Sequence, residues 1–300
     1  MTEPAPLPET FADQPLTFTI PSRDVRGRIV RLDAALDEIL SAHDYPPPIA
    51  LLLAEALVLV SLMGSLLKDD ASQLTMQAQT QSGAVRLLVC DYRAGALRGY
   101  VDFDRERLAE LGANPSLYAL FGQGYLAITF DLADKQGRYQ GIVPLEGETL
   151  GAACEHYFVQ SEQVPTLVRT AVRIEGGRTR AAGLLLQYLP EGEEGRERLH
   201  AQDVSPAWEH ISVLGGSLRH DELLDPALSL DAIVWRLFHE EDEIRIVPGH
   251  PLFRGCRCSA EHYLGVLGKF AQEDLAEMRD DEGIIRVDCA FCSRQFAIAA

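Results

Sequence analysis

Six cysteines occur in this 300-residue chain, and four of them lie beyond residue 255 in two close pairs. Cys256 and Cys258 form C-x-C, Cys289 and Cys292 form C-x-x-C, and Ser259 to Asp288 separate the pairs. Two close thiol pairs joined by a variable loop give zinc four soft ligands with little chain to order. The segment is too small to bury a core of its own, so a metal explains how it folds. Arg254, Arg257 and Arg294 flank the cysteines and are expected to help hold thiolates in an otherwise acidic chain. Four cysteine ligands leave no position open for water, which argues against metal-assisted hydrolysis. His220-Asp221-Glu222 looks like the H-x-E of zinc deaminases, but Asp288 rather than proline precedes the C-x-x-C.

C-x-C carries a further implication. In an extended chain its Cα atoms stand about 6.6 Å apart, close to the upper limit for a disulfide. A bridge there closes a small, strained ring, and strained bridges are the reversible ones. Cys90 ends the apolar run AVRLLVC and Cys154 shares a helical face with Tyr157, so both read as buried, inert thiols.

Hydrophobic residues make up 47% of the chain and charged residues 24%, so the bulk of it can build a core without metal or disulfide. The formal net charge of -18 repels phosphate backbones and anionic lipids, which disfavours nucleic acid as a partner. The densest basic stretch, Arg23 to Arg31, reads as solvated or ion-paired. Residues 1–16 are acidic and proline-rich without the pattern of a signal peptide, and a disordered tail is expected there. Ile49 to Leu67 is long and apolar enough for a membrane helix. Glu55 within it, and the small residues Ala50, Ala54, Ser61 and Ser65 at helical spacing, predict a buried core helix instead.

Residues 17–31 read as a strand interrupted at Pro21, and Leu32 to Ala42 as a helix ended by Pro46-Pro47-Pro48. From Gln73 to Phe103 the hydrophobic period becomes two, the mark of a strand meander, and 124–132 with 138–145 add a hairpin turning near Lys135-Gln136-Gly137. Thr149 to Gln160 returns to helical spacing, and two apolar runs after Thr166 close the body. Strands and helices come in blocks, so the expected fold is α+β with a mainly antiparallel sheet. Glu191 to Arg198 is charged and Gly-punctuated, a candidate boundary. Beyond it, Leu230, Ile233, Val234, Leu237 and Phe238 fall on one face of a short helix that needs a partner, while Glu240 to Glu243 favour solvent. The expected organisation is a tail at 1–16, a body at 17–190, a helical linker at 191–250 and a zinc-binding end at 251–300.

FRGCRCS at 253–259 and CAFCSRQF at 289–296 resemble the heat-shock protein 33 family of redox-regulated holdase chaperones. YFVQSEQVPT (157–166), YQGIVPLEG (139–147), GQGYLAITFD (122–131) and RGRIVRLD (26–33) extend the resemblance over nearly the whole chain from Phe18 onward. Phe296 stands where the family often has tyrosine, a departure that touches no ligand. The resemblance implies a bacterial cytoplasmic, ATP-independent chaperone that is not an enzyme. It implies silence when reduced and zinc-bound. Activation follows oxidation by hypochlorous acid, or by peroxide with mild unfolding, with zinc release and pairing of Cys256 with Cys258 and Cys289 with Cys292. It further implies unfolding client proteins as partners, a homodimer when oxidised, and a metastable linker. The apolar face at Leu230, Ile233, Val234, Leu237 and Phe238 is then a candidate client-binding surface. The alternative is a zinc-free thiol–disulfide oxidoreductase using Cys289-Ala290-Phe291-Cys292, although such motifs usually open a helix in a βαβ setting.

Overall fold

Period-two patterning and one strongly apolar helix give the body two sheets that share a core around that helix. The computed structural model describes residues 11–133, 137–189 and 205–299. The chain enters through β1 (Leu16–Ile20), a 3₁₀ turn and β2 (Val25–Leu32), then α1 (Ala34–Leu40) and α2 (Pro47–Gly64). A meander follows: β3 (Gln73–Thr80), β4 (Val85–Arg93) and β5 (Ala96–Phe103), with short α3 (Arg105–Glu110) and α4 (Leu117–Phe121) after it. The hairpin β6 (Gly124–Asp131) and β7 (Arg138–Pro144) leads into α5 (Leu150–Tyr157), a π-helical turn at Phe158–Glu162, and the long hairpin β8 (Thr166–Glu175) and β9 (Arg178–Tyr188). Lys135 and Gln136, expected at the β6–β7 turn, lie outside the described residues, as do most of the expected tail and residues 191–204 of the expected linker.

From Ser205 the chain forms α6 (Pro206–Gly216), α7 (His220–Leu224) and α8 (Leu230–Phe238), then β10 (Arg245–Pro248) and β11 (Phe253–Arg254). It ends in α9 (Ala260–Leu267), α10 (Gln272–Met278), β12 (Ile284–Asp288) and β13 (Gln295–Ala299). The first sheet has the order β10-β1-β2-β9-β8, and the second β11-β5-β4-β3-β6-β7. Pairing is antiparallel except between β11 and β5. The expected α+β class with mainly antiparallel sheets is the one observed.

α2 fills the centre. It is the one described helix with the length and apolarity of a membrane span, and 78% of it is buried within the protein. Ala54 and Ser61 are fully buried, and a Cβ at Gly183 of β9 would sit 2.5 Å from Val58 Cγ1, so glycine is what lets helix and sheet approach. Glu55 accepts from the Gly151 N–H at 3.1 Å and the Thr170 hydroxyl at 3.0 Å. The charge thus meets donors on α5 and β8 rather than lipid.

β2 and β9 belong to two cores at once. Val30 and Leu185 face α2, whereas Ile29, Leu184 and Leu186 face α6, α7 and α8. Leu230, Ile233, Val234 and Phe238 are buried in that second core, and Leu237 is half-buried at its edge. Ser229 caps α8 by accepting from the Ala232 N–H.

Two expectations about charge need correction. Glu241 is not solvated with its neighbours: its side chain is 3% exposed, pairs with Arg23 at 2.7 Å and lies 3.0 Å from His210 Nε2. Nor are all arginines between Arg23 and Arg31 solvated or paired. Arg31 is buried and donates to the carbonyls of Phe11, Leu223 and Leu228, and Arg28 is buried with its Nε and Nη1 unpartnered among the described residues. Alternation turns both faces of β2 inward, because helices cover the first sheet on both sides.

Candidate metal centre

The two cysteine pairs reach one point from different elements. β11 runs parallel to β5, with Phe253 opposite Ala96 and Arg254 opposite Leu97, and carries the chain straight into Cys256. A Cβ at Gly255 would lie 2.4 Å from that of Ala96, so glycine is needed for the C-x-C to leave so close to the sheet. Cys289 follows β12, and the chain turns back there. The Cys289 carbonyl accepts from the N–H groups of Cys292 and Ser293, Ser293 takes a positive φ of 57°, and the Cys289 N–H donates to Arg294. β13 then pairs with β12 in register Val287–Phe296. The core beneath is small: Leu267, Leu275, Ile285 and Ile298, with Tyr263, Val287 and Phe296 packed on it.

All four Sγ atoms lie within 4.8 Å of one another. Cys256 is 3.4 Å from Cys258 and 3.6 Å from Cys289, and Cys258 is 3.5 Å from Cys292. A tetrahedron with metal–sulfur bonds of about 2.3 Å has sulfur–sulfur edges of about 3.8 Å. The site therefore fits one four-coordinate soft cation, held by Cys256, Cys258, Cys289 and Cys292. Cys289 is buried and the other three are half-buried. Burial pushes the Cys256 thiol up, and at Cys258 neighbouring sulfurs add to that effect. Burial would raise Cys289 as well. Donation from the Tyr263 hydroxyl, the Phe291 N–H and the Cys256 and Cys292 thiols overcomes it and holds Cys289 at about 7. Cys289 thus gives up its proton more readily than an ordinary thiol.

The flanking arginines do not act as the sequence implied. Arg257, between the first two cysteines, turns away from them to Gln73 at 2.8 Å and Asp91 at 3.1 Å. Arg254 donates to the Cys292 carbonyl at 3.3 Å, and Arg294 is exposed. The second pair has its own tie to the body. Phe291 lies edge-on to Tyr100, with ring centres 4.9 Å apart, and the Arg98 guanidinium stands 4.1 Å from its centre. His43 Nε2 is 3.3 Å from the Phe291 carbonyl, and the Ser293 hydroxyl donates to Ala42. None of these contacts is legible from spacing, because their partners, among them Ala42, His43, Asp91, Arg98 and Tyr100, lie far back along the chain. Cys90 and Cys154 are fully buried, and burial pushes both thiols well up, so neither joins the site.

Together, the two sheets sharing a central helix and the appended hairpin with four convergent thiols define an α+β protein carrying a tetrathiolate metal-site motif. The family profile described as Hsp33 protein matches residues 13–299. The 33 kDa chaperonin of Caulobacter vibrioides strain NA1000 / CB15N is 42% identical over 306 aligned residues, covering 99% of this chain and 98% of that protein. The 33 kDa chaperonin of Pseudomonas paraeruginosa is 37% identical, covering 97% and 93%. The crystal structure of the 33 kDa chaperonin (heat shock protein 33 homolog) from Thermotoga maritima shares the fold, with a TM-score of 0.76 at 22% identity over 95% of this chain and 94% of that one. The chain belongs to the Hsp33 family.

Proposed function

We propose that this protein is an ATP-independent holdase whose four C-terminal thiols switch it on by oxidation. The observation that carries the proposal is the convergence of Cys256, Cys258, Cys289 and Cys292 beside a chain segment that covers an apolar sheet face. A bound zinc ion would cross-link the two cysteine pairs, a structural role in a segment with little core. Joining two thiols forms one S–S bond and releases two protons, while hypochlorous acid is reduced to chloride and water, or peroxide to two waters.

The proposed bridges are Cys256–Cys258 and Cys289–Cys292. Their consequence differs from that of bridges between the pairs. Local bridges leave β11 and the β12–β13 hairpin free of each other, whereas Cys256–Cys289 and Cys258–Cys292 would staple them together. Release of the covered sheet face requires the local arrangement. Unfolding client proteins are the proposed partners, in the bacterial cytoplasm and with the oxidised chain as a homodimer. The net charge of -18 supports a role apart from nucleic acid.

Three measurements on the full chain test this. The reduced protein should bind one zinc, and Cys258→Ser should weaken binding sharply, since one of four ligands is lost. Light scattering of a denatured test protein without nucleotide should show suppressed aggregation only with the oxidised chain. Mass mapping should find the two local bridges. Equal suppression by reduced and oxidised protein would overturn the switch. Metal-free thiols that turn over a disulfide substrate would point to the oxidoreductase instead.

A further inference from the structure

Two cations in β2 lack an anion among the described residues. Arg26 and Arg28 are two residues apart on the strand and share the face on which Gln187 lies opposite Arg26. Arg28 is 4% exposed, and its Nε and Nη1 meet no acceptor; Arg26 Nε is buried and unpartnered too. The remaining polar contact is a long one, Arg26 to the Gln187 side chain at 3.5 Å. Burial lowers both guanidinium pKa values, to about 9 at Arg28, where Arg26 adds repulsion, and no carboxylate offsets either. Arg31 on the opposite face shows the usual solution, with every contact made to a backbone carbonyl. A buried, unpaired guanidinium beside a second, half-buried one is costly, and such groups ordinarily meet a counter-ion.

A cavity of about 490 Å³ opens beside Arg26, within the ~300–1,000 Å³ typical of small-molecule sites. Arg26 and Gln187 form its basic, polar wall; Leu66, Phe130, Phe158 and Leu189 give it apolar walls. Glu162 also borders the space, and its carboxylate is engaged by the Tyr157 hydroxyl at 2.7 Å. This separation of charge orients a ligand: an anionic head belongs at Arg26 and an uncharged tail elsewhere. An inorganic anion would leave the apolar walls unused, and a neutral apolar molecule would leave the arginines unpaired.

We propose that this cavity binds an amphiphilic monocarboxylate, its carboxylate seated on Arg26, the arginine that lines the cavity, and its hydrocarbon chain on Leu66, Phe130 and Phe158, with Arg28 two residues along the strand adding positive charge. The charge-assisted hydrogen bonds form on a half-buried guanidinium, where they are stronger than at an open surface. The site is separate from the cysteines and independent of the holdase reading.

Isothermal titration and thermal melts of the full reduced chain test it, with octanoate below micelle formation as probe. Octanol and inorganic phosphate are the comparison ligands. Octanoate should bind and raise Tm, with octanol and phosphate each weaker by about tenfold or more. Arg28→Met should raise Tm without ligand, because it removes an unpaired charge, and should weaken octanoate binding less than Arg26→Met does. Arg26→Met should lose binding, and Leu189→Trp, which fills the cavity and leaves both arginines in place, should block it. No heat and no Tm shift with wild type would overturn the proposal. So would octanol or phosphate binding as tightly as octanoate, or undiminished octanoate binding in Arg26→Met or Leu189→Trp.

Discussion

Glu55 shows how a single residue decides between two readings of the same helix. Ile49 to Leu67 is apolar enough for a bilayer, and only the carboxylate and the small-residue stripe argue otherwise. In the fold the carboxylate meets the Gly151 N–H and the Thr170 hydroxyl, yet burial still raises its pKa above the ordinary 4.5. A carboxyl with a raised folded-state pKa binds its proton more tightly in the native state than in the unfolded one. Its effect on stability is therefore most favourable below 4.5 and is lost as pH climbs through the raised value. Glu55→Gln keeps an acceptor oxygen for both donors, and a cavity of about 180 Å³ beside it gives the new NH₂ access to water. Thermal melts should place Glu55→Gln above wild type near about pH 8, with the gap closing as pH falls to about 4.5. Glu55→Ala strands two donors and should cost about 2–3 kcal/mol near about pH 4.5, and less as pH rises, because the alanine also removes the buried charge. A lower melting temperature for Glu55→Gln at the alkaline end would refute the raised pKa. The sequence carried this residue's burial but not its partners, since those come from α5 and β8 far along the chain.

At the scale of elements, the cysteine hairpins are held to the body by the residues between their ligands. Arg257 of the C-x-C reaches Asp91, which is 3% exposed and also pairs with Arg98 at 2.5 Å. Phe291 of the C-x-x-C rests on Arg98 and Tyr100. Both ties converge on adjacent strands β4 and β5, so the thiol cluster and the second sheet share one polar-aromatic contact. Ligand spacing was readable in the sequence because metal geometry constrains it. The docking was not, because a two-residue strand, β11, sets it. Phe291→Ala and Arg257→Ala should each leave all four thiols in place but loosen the hairpins. A cation–π contact and an edge-on ring together are worth roughly 1–3 kcal/mol. Transfer of zinc to a chromogenic chelator should accordingly run about 5–150-fold faster in Phe291→Ala than in wild type. Unchanged transfer rates in both variants would show that the contacts do not stabilise the metal-holding state.

Across the whole molecule, the coverage of the first sheet and the cysteine cluster are connected through one short crossing of the chain. β10 pairs with β1 on the first sheet, and β11 pairs with β5 on the second. Between them Gly249 donates to Pro15 and Leu252 donates to Asp13. Asp13 in turn accepts from the N–H groups of Asp33 and Ala34 at the start of α1, so the residues just before β1 are tied into the same junction. The stripe on α8 was legible from spacing alone, but its target was not: the second core exists only because β1, β2, β8 and β9 present Phe18, Ile29, Ala171 and Leu184 to it. If the thiol cluster comes apart, β11 loses its anchor, and the end of the covering segment goes with it. The face then uncovered is the apolar side of the first sheet as well as that of α8. Ile233 is the sensitive position, 2% exposed, whereas Leu237 is only half-buried. Ile233→Asp puts a carboxylate into that core at a cost on the order of 3–5 kcal/mol, while Leu237→Asp has a route to water and should cost less. Hydrogen exchange across residues 205–250 should show protection in the reduced wild type, loss of it after oxidation, and loss in reduced Ile233→Asp with zinc still bound. That variant should suppress aggregation of a denatured test protein without oxidant, and Leu237→Asp should do so more weakly. Equal protection in reduced and oxidised wild type would rule out release of this segment as the switch, even if the metal is lost.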